Sequence, residues 1–307
     1  MYNEIDNELS RWLARPETQE RLKPVRELQS VLVEMLQVLD ELCRKHNLRY
    51  YLYYGSLLGA VRHGGFIPWD DDADIAMPRK DYDRFVEIAE RELPRGYFMQ
   101  SYRTERDYRH PFAKVRKDGT TCIVNNHRHI RMHQGIFVDV FPLESLPRNG
   151  FLKMAMWALI RICDDLAAFA IARLPARLGF MRPLQWLWQG IFAPRFFLRL
   201  ANGLARLFNY NAGRELGLCC YHISWRRFKA NIMNAGWLGD GTDVELGENR
   251  FRIPNDSTSV LRKMYGDYMK IPAENLRVPS HTQGSVIDIG ADFRTYLSEL
   301  YGQARNE

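Results

Sequence analysis

Residues 66–78 read FIPWDDDADIAMP. Four carboxylates, Asp70, Asp71, Asp72 and Asp74, stand between an apolar approach and an apolar run. A fold that accepts this stretch must carry Ile75, Ala76 and Met77 into a core and keep the acids together at its mouth. Like charges held this close repel, and buried carboxylates are rarely left without partners. A merely solvated acidic loop needs no apolar flanks. A calcium loop fits Asp70, Asp72 and Asp74 at its first, third and fifth positions. It then requires glycine where Ile75 stands and glutamate where Asp81 stands, so the pattern fails. Magnesium remains, because it takes few protein carboxylates and completes its shell with water and phosphate.

The surrounding pattern gives the architecture. Residues 25–46, VRELQSVLVEMLQVLDELCRKH, place apolar side chains at helical spacing. NLRYYLYYG reads as a strand, and LLGAV as a short helix with Ser56 near its N-cap. DADIAMP reads as a strand ending at Pro78, and RKDYDRFVEIAERELP as a helix closed by Pro94. YFMQSYR, FAKVRKDGTTCIV and GIFVDVFPLE are further strand candidates, with Asp118-Gly119 able to turn a hairpin. This alternation predicts an α/β (α+β) fold, a mixed sheet flanked by helices. Residues 150–210 change character, with Leu, Phe, Trp, Ala and Arg dominating and Asp164 and Asp165 the acids. Two readings stay open there: a basic amphipathic segment on an anionic membrane, or a helical layer packed on the sheet.

Composition narrows the class without choosing the substrate. With 307 residues, 46% hydrophobic and 26% charged, the chain is globular rather than disordered. A net charge of +6 suits any anionic partner. Cys43, Cys122, Cys163, Cys219 and Cys220 are odd in number and form no C-x-x-C pair, which points to free thiols in a reducing cytoplasm. The charged N-terminus has no apolar stretch of a secretory signal, and no run approaches the ~20 residues of a membrane span. Cytoplasmic localisation, with peripheral attachment to the plasma membrane's inner face as an option, is the expectation.

Candidate site residues follow from strand parity. Residues i and i+2 of a strand share a face, so Asp72 and Asp74 are expected side by side as ligands to Mg²⁺ or Mn²⁺. Asp139 is a lone acid inside GIFVDVFP, costly to bury unless it completes that site. Asp70 is a further ligand or orienting group, while parity turns Asp71 away. Gly55 and Ser56 are the expected phosphate-holding turn at a helix start. Arg62 and His63 would add positive charge, and Lys114 and Arg116 would neutralise a nucleotide phosphate. Their bland counterparts are a surface ion pair for Arg62 and a charged edge strand for Lys114 and Arg116. His127, His129 and His133 have zinc-like spacing, but Arg128 and Arg131 oppose a cation, and a loop contacting an anionic substrate is the preferred reading.

A glycine-serine helix start, a D-x-D pair on one strand and a third aspartate on another together resemble the nucleotidyltransferase superfamily. The longer string YYGSLLGAVRHGGFIPWDDDADIAMPRKDYDRF resembles the LicD family of phosphotransferases, relatives of the fukutin group. FAKVRKDGTT, GIFVDVFPLE and LRKMYGDYMKIP extend the likeness to about residue 275. The resemblance implies a nucleotidyltransferase-like core over residues 1–149, a helical segment over 150–213 and a C-terminal part, 214–307, completing the catalytic domain. It implies transfer of phosphocholine or a similar phospho-alcohol from a CDP-linked donor to a cell-surface glycan or its precursor, with CMP released. It implies a metal site at Asp72, Asp74 and Asp139, a phosphate-binding turn at Gly55 and Ser56, and no nucleic-acid partner. Tyr265, Gly266 and Asp267 match a family motif to which chemistry assigns no role. Two alternatives remain open from the residues: nucleotidyl transfer with pyrophosphate release, and a non-catalytic membrane-peripheral binding protein.

Overall fold

A computed structural model describes residues 2–124, 128, 130–171, 181, 183, 194–209, 214–219, 224–279 and 284–297. Two helices open the chain, α1 (Tyr2–Leu13) and α2 (Pro16–Lys45). Helix α2 buries Leu28, Leu32, Met35, Leu36, Leu39 and Leu42 along one stripe. It begins earlier than its clearest apolar periodicity, because Pro16 in the first turn costs no hydrogen bond and Leu22 extends the buried face.

A short strand β1 (Tyr51–Leu52) leads into α3 (Tyr54–His63), β2 (Asp74–Pro78) and α4 (Arg79–Glu92). Strands β3 (Tyr97–Gln100), β4 (Ala113–Lys117), β5 (Thr121–Ile123) and β6 (Phe137–Ser145) follow. The main sheet runs β1-β2-β6-β4-β3. Only β2 and β6 pair in parallel within it, so the sheet is mixed as expected. Every residue of β6 is buried, which explains its near-continuous apolar sequence.

Beyond β6 lie α5 (Gly150–Ile171) and α6 (Pro194–Arg206), packed on each other over a core of their own that includes Met156, Ile160, Phe197 and Leu198. The chain then returns to the sheet. Strand β7 (Glu215–Gly217) pairs with the end of β6, helix α7 (Trp225–Ala230) follows, and β8 (Met233–Asn234) pairs with β7. The hairpin β9 (Thr242–Leu246) and β10 (Asn249–Ile253) precedes helix α8 (Ser257–Tyr265) and strand β11 (Val286–Asp288).

A buried ion pair joins α4 to the far end of β6, and Asn209 ties the helical layer to the same carboxylate. Arg79 Nε donates to Glu144 Oε2 at 3.0 Å, and Arg79 Nη2 meets the other oxygen. Asn209, just past α6, donates from Nδ2 to the same Glu144 Oε2 at 2.6 Å. The described parts of residues 150–210 thus form a helical layer tied to the sheet at the end of β6.

Several local expectations are corrected. Asp118-Gly119 makes a turn with Gly119 at φ +69°, but no hairpin: β5 pairs with β11, and β4 lies between β3 and β6. The charged-edge reading of Lys114 and Arg116 therefore fails, since β4 is internal and both side chains are buried. Ser56 lies near the helix start as expected, in the first turn of α3 after its N-cap Tyr53.

Candidate active site

The backbone holds the acidic segment from three sides. The Asp74 N–H donates to Ser56 Oγ at 3.0 Å, and the Tyr53 N–H donates to the Asp74 carbonyl at 2.9 Å. The Asp139 N–H donates to the Ala73 carbonyl at 2.9 Å. From α2, Gln29 Nε2 donates to the carbonyls of Ile67 and Asp70 at 3.0 and 2.8 Å. Ser56 thus braces Asp74 through its oxygen, which leaves its O–H as a donor.

Register brings the acids together. Asp74 on β2 stands directly opposite Asp139 on β6, and Asp139 stands opposite Lys114 on β4. The row Asp74, Asp139, Lys114 therefore crosses three neighbouring strands. Asp70, Asp72, Asp74 and Asp139 line one pocket of about 550 Å³. Asp72 precedes the strand instead of lying on it, so strand parity does not govern its direction. For the same reason the exclusion of Asp71 is corrected. Carboxylate oxygens of Asp70, Asp71 and Asp72 come within 4.8 Å of one another, and Asp71 is buried.

Electrostatics mark the same place. Burial first, then the charges of Asp72, Asp139 and Asp70, push the Asp74 carboxyl well above its ordinary range. A cation bound there would relieve this crowding. The donors fit a hard divalent ion: they are carboxylate oxygens, and no thiol or imidazole lines the pocket among the described residues. Gly55 contributes space. A Cβ at this position would lie 2.3 Å from Asp70 Oδ2, so the carboxylate and the helix start approach as closely as they do only because residue 55 is glycine. Tyr54 enters the helix at φ +43°, in the left-handed region, and lines the pocket beside Gly55.

The expected cations are placed elsewhere. Lys114 is buried and ion-paired with Asp139, with its ammonium 3.6 Å from the centre of the Phe137 ring. Burial lowers its pKa and the Asp139 charge opposes that shift. Arg116 donates to Gln100 Oε1 at 2.7 Å and to the Gly135 carbonyl at 2.6 Å. Neither lines the pocket. Arg62 Nη1 donates to the Tyr268 carbonyl at 2.8 Å and clasps the C-terminal motif to α3. His63 is pushed down to about 4, by burial and then by Arg62, so it is neutral at physiological pH and adds no positive charge. His133 is engaged by Asp118 at 2.8 Å and by the Gly135 N–H at 3.1 Å, which leaves neither ring nitrogen for zinc. His127 and His129 lie outside the described residues.

The opposite wall comes from the C-terminal part. Arg227, Ala230 and Asn231 at α7, and Met264 and Tyr265 at the end of α8, line the pocket. Arg227 is the one cation in that lining among the described residues. No local motif marks Arg227 or Asn231, and sequence reading missed both. Tyr265 supplies the pocket contact of the Tyr265-Gly266-Asp267 motif, and burial followed by the charges of Asp74, Asp70 and Asp72 raises its phenol. Gly266 turns the chain out of α8 at φ +71°.

The residues that build the acidic half of this pocket lie inside a matched family domain. Residues 47–159 match the model described as LicD/FKTN/FKRP, nucleotidyltransferase domain. This part of the chain is thus similar to a LicD-family domain. Its relatives include lipopolysaccharide cholinephosphotransferase LicD of Haemophilus influenzae, 26% identical over 280 residues, 86% of this chain and 98% of the relative. Ribitol 5-phosphate transferase FKRP of Mus musculus is 32% identical over 110 residues, 36% of this chain and 19% of that protein. An uncharacterized protein of Rickettsia typhi is 41% identical over 66 residues, 22% of this chain and 21% of its own. Similarity to the H. influenzae protein thus runs through almost the whole chain, while that to FKRP covers about a third of it.

Proposed function

We propose that this chain is a phosphotransferase that moves a phospho-alcohol, phosphocholine or a close analogue, from a CDP-linked donor to a hydroxyl of a cell-surface glycan or its precursor. The observation that carries the reading is the pairing of Asp74 with Asp139 across β2 and β6, with Asp70 and Asp72 on the same pocket. The names of the relatives, a cholinephosphotransferase and a ribitol 5-phosphate transferase, support the substrate class.

Asp70, Asp72, Asp74 and Asp139 would hold magnesium or manganese. Bound there, the ion would polarise the phosphoryl oxygens and offset charge that builds during transfer. Lys114 orients Asp139 through their buried ion pair. Gly55 lets the Asp70 carboxylate lie against the start of α3, beside the ion. Arg227, across the pocket, is placed to meet the leaving phosphate. The acceptor hydroxyl attacks the phosphorus that carries the alcohol. The bond from that phosphorus to the bridging oxygen breaks, CMP leaves with the electron pair, and a pocket carboxylate takes the hydroxyl proton.

The test follows both halves of a labelled CDP-choline in the presence of magnesium and a glycan precursor. Label from choline on the glycan, with one CMP for each transfer, is the expected result. Label from cytidine on the acceptor would replace this reading with nucleotidyl transfer.

A further inference from the structure

Helices α5 and α6 bury one face of each against the other and expose a second apolar face. Phe151, Leu159 and Ile162 on α5, and Phe196, Leu200 and Leu207 on and just beyond α6, are large apolar side chains open to solvent. Their spacing is helical: 159 and 162 continue the stripe from 151, and 200 and 207 continue it from 196. Phe151 is 70% exposed and Phe196 50%. Apolar residues scattered singly need no explanation, but six on two packed helices form a surface that water does not favour. No helix among the described residues is long and apolar enough to cross a membrane, so this face can lie on a bilayer but not span it.

The charge of the pair selects the occupant. The two helices carry five basic side chains, Lys153, Arg161, Arg195, Arg199 and Arg206, against Asp164 and Asp165; Lys153 is paired with Glu215 and Arg206 with Asp83, so Arg195 and the exposed Arg199 carry the positive character of the face. Asp164 is buried, and Asp165 is paired with Arg161. A second copy of the chain would bring this positive face against itself. An anionic lipid surface offers both an apolar layer for the phenylalanines and negative headgroups for the arginines. We infer that the α5–α6 face docks on an anionic bilayer.

Position relative to the pocket makes the docking useful. Helix α7 joins the two regions. Its Trp225 packs on Trp157 of α5, with ring centres 5.4 Å apart, and its Phe228 belongs to the helical core. The same helix sends Arg227 and Ala230 to the pocket. Docking would therefore hold the pocket one short helix from the lipid, where a lipid-borne saccharide can enter. That last consequence rests on the transfer reading. Docking itself does not, so the two fail separately.

The test is flotation of the full chain with vesicles of phosphatidylcholine alone or of phosphatidylcholine with phosphatidylglycerol. Flotation with the mixed vesicles at low salt, weakened by added salt and absent with phosphatidylcholine alone, is expected. The double variant Phe151→Ser/Phe196→Ser, checked for an unchanged circular dichroism spectrum and melting point, should bind the mixed vesicles at least about tenfold more weakly. Arg199→Glu, which alters no packed residue, should weaken binding as well. The inference is overturned if the wild type stays with the soluble fraction. It is equally overturned if binding ignores anionic lipid, or if both variants float like the wild type. A dimer in solution that leaves the vesicles bare would assign the face to a second copy.

Discussion

Gly55 shows how a single missing atom can set the geometry of a site. The start of α3 and the Asp70 carboxylate occupy space that a Cβ would claim, 2.3 Å from Asp70 Oδ2. The contact is with a side chain, so Gly55→Ala can fold by turning Asp70 aside. Displacing a group in a reacting constellation by about 1 Å costs about a hundredfold in rate. Gly55→Ala should therefore lose about a hundredfold of its transfer rate while its thermal midpoint stays close to that of the wild type. Paired rate and melting measurements check this. Full activity in Gly55→Ala would mean that the Asp70 position is irrelevant to the chemistry. The same scale explains why some site residues were visible in the sequence and others not. Asp70, Asp72, Asp74 and Asp139 stood out because acids beside apolar runs are costly unless they share a purpose. Lys114 also looked significant, but its partner is set by strand register, and register placed it against Asp139 instead of a substrate.

At the level of elements, β2, α4, β6 and the apolar stripe of α2 were legible, because each repeats its period over enough residues. The β4–β5 connection was not. Asp-Gly reports a turn, while the strands it joins choose partners by tertiary packing, here β6 and β3 for one and β11 for the other. Strand parity misled at Asp71, because β2 begins only at Asp74, while Asp72 lines the pocket beside Asp74 without lying on the strand. Helix α5 carries a feature that periodicity hides. Asp164 is almost fully buried in the helical layer, and burial pushes its carboxyl up to about 7, with Arg161 opposing and Asp165 adding to the shift. The sign follows from proton counting. Unfolded, this carboxyl ionises near 3.8; folded, it holds its proton to about 7. Folding stability from this group is thus fully present below 3.8 and falls as the pH rises to about 7, by up to ~4 kcal/mol at about 1.4 kcal/mol per unit. Asp164→Asn should raise the melting point at pH about 8 and leave it nearly unchanged at pH about 4. Melting curves of the two proteins across that range decide the matter, and a difference independent of pH would remove Asp164 as its cause.

For the whole molecule, the pocket is where distant parts of the chain close on each other. Gly55, Asp74, Asp139, Arg227 and Tyr265 come from five separate segments and meet around one volume. Helix α2 pins the acidic loop from one side through Gln29, and Arg62 ties α3 to the chain beyond α8 through the Tyr268 carbonyl. The acidic half could be read in the sequence because its acids are close together and sit on strong elements. The Arg227–Asn231 wall could not, since only the path of the chain through β7 and α7 brings it there. One energetic consequence spans the assembly. Four carboxylates crowded at one pocket oppose folding unless a cation answers them, so a cation bound as proposed would stabilise all the segments together. Linkage gives about 2.7 kcal/mol at a free concentration one hundred times the dissociation constant. Magnesium should therefore raise the melting point of the wild type in a saturable way. Asp74→Asn relieves the most crowded carboxyl, so without metal it should melt no lower than the wild type, and added magnesium should move it little. Calorimetric melts with and without magnesium measure both quantities. An equal magnesium response in Asp74→Asn and wild type would show that the ion acts elsewhere, and the cluster would then need another explanation for its charge.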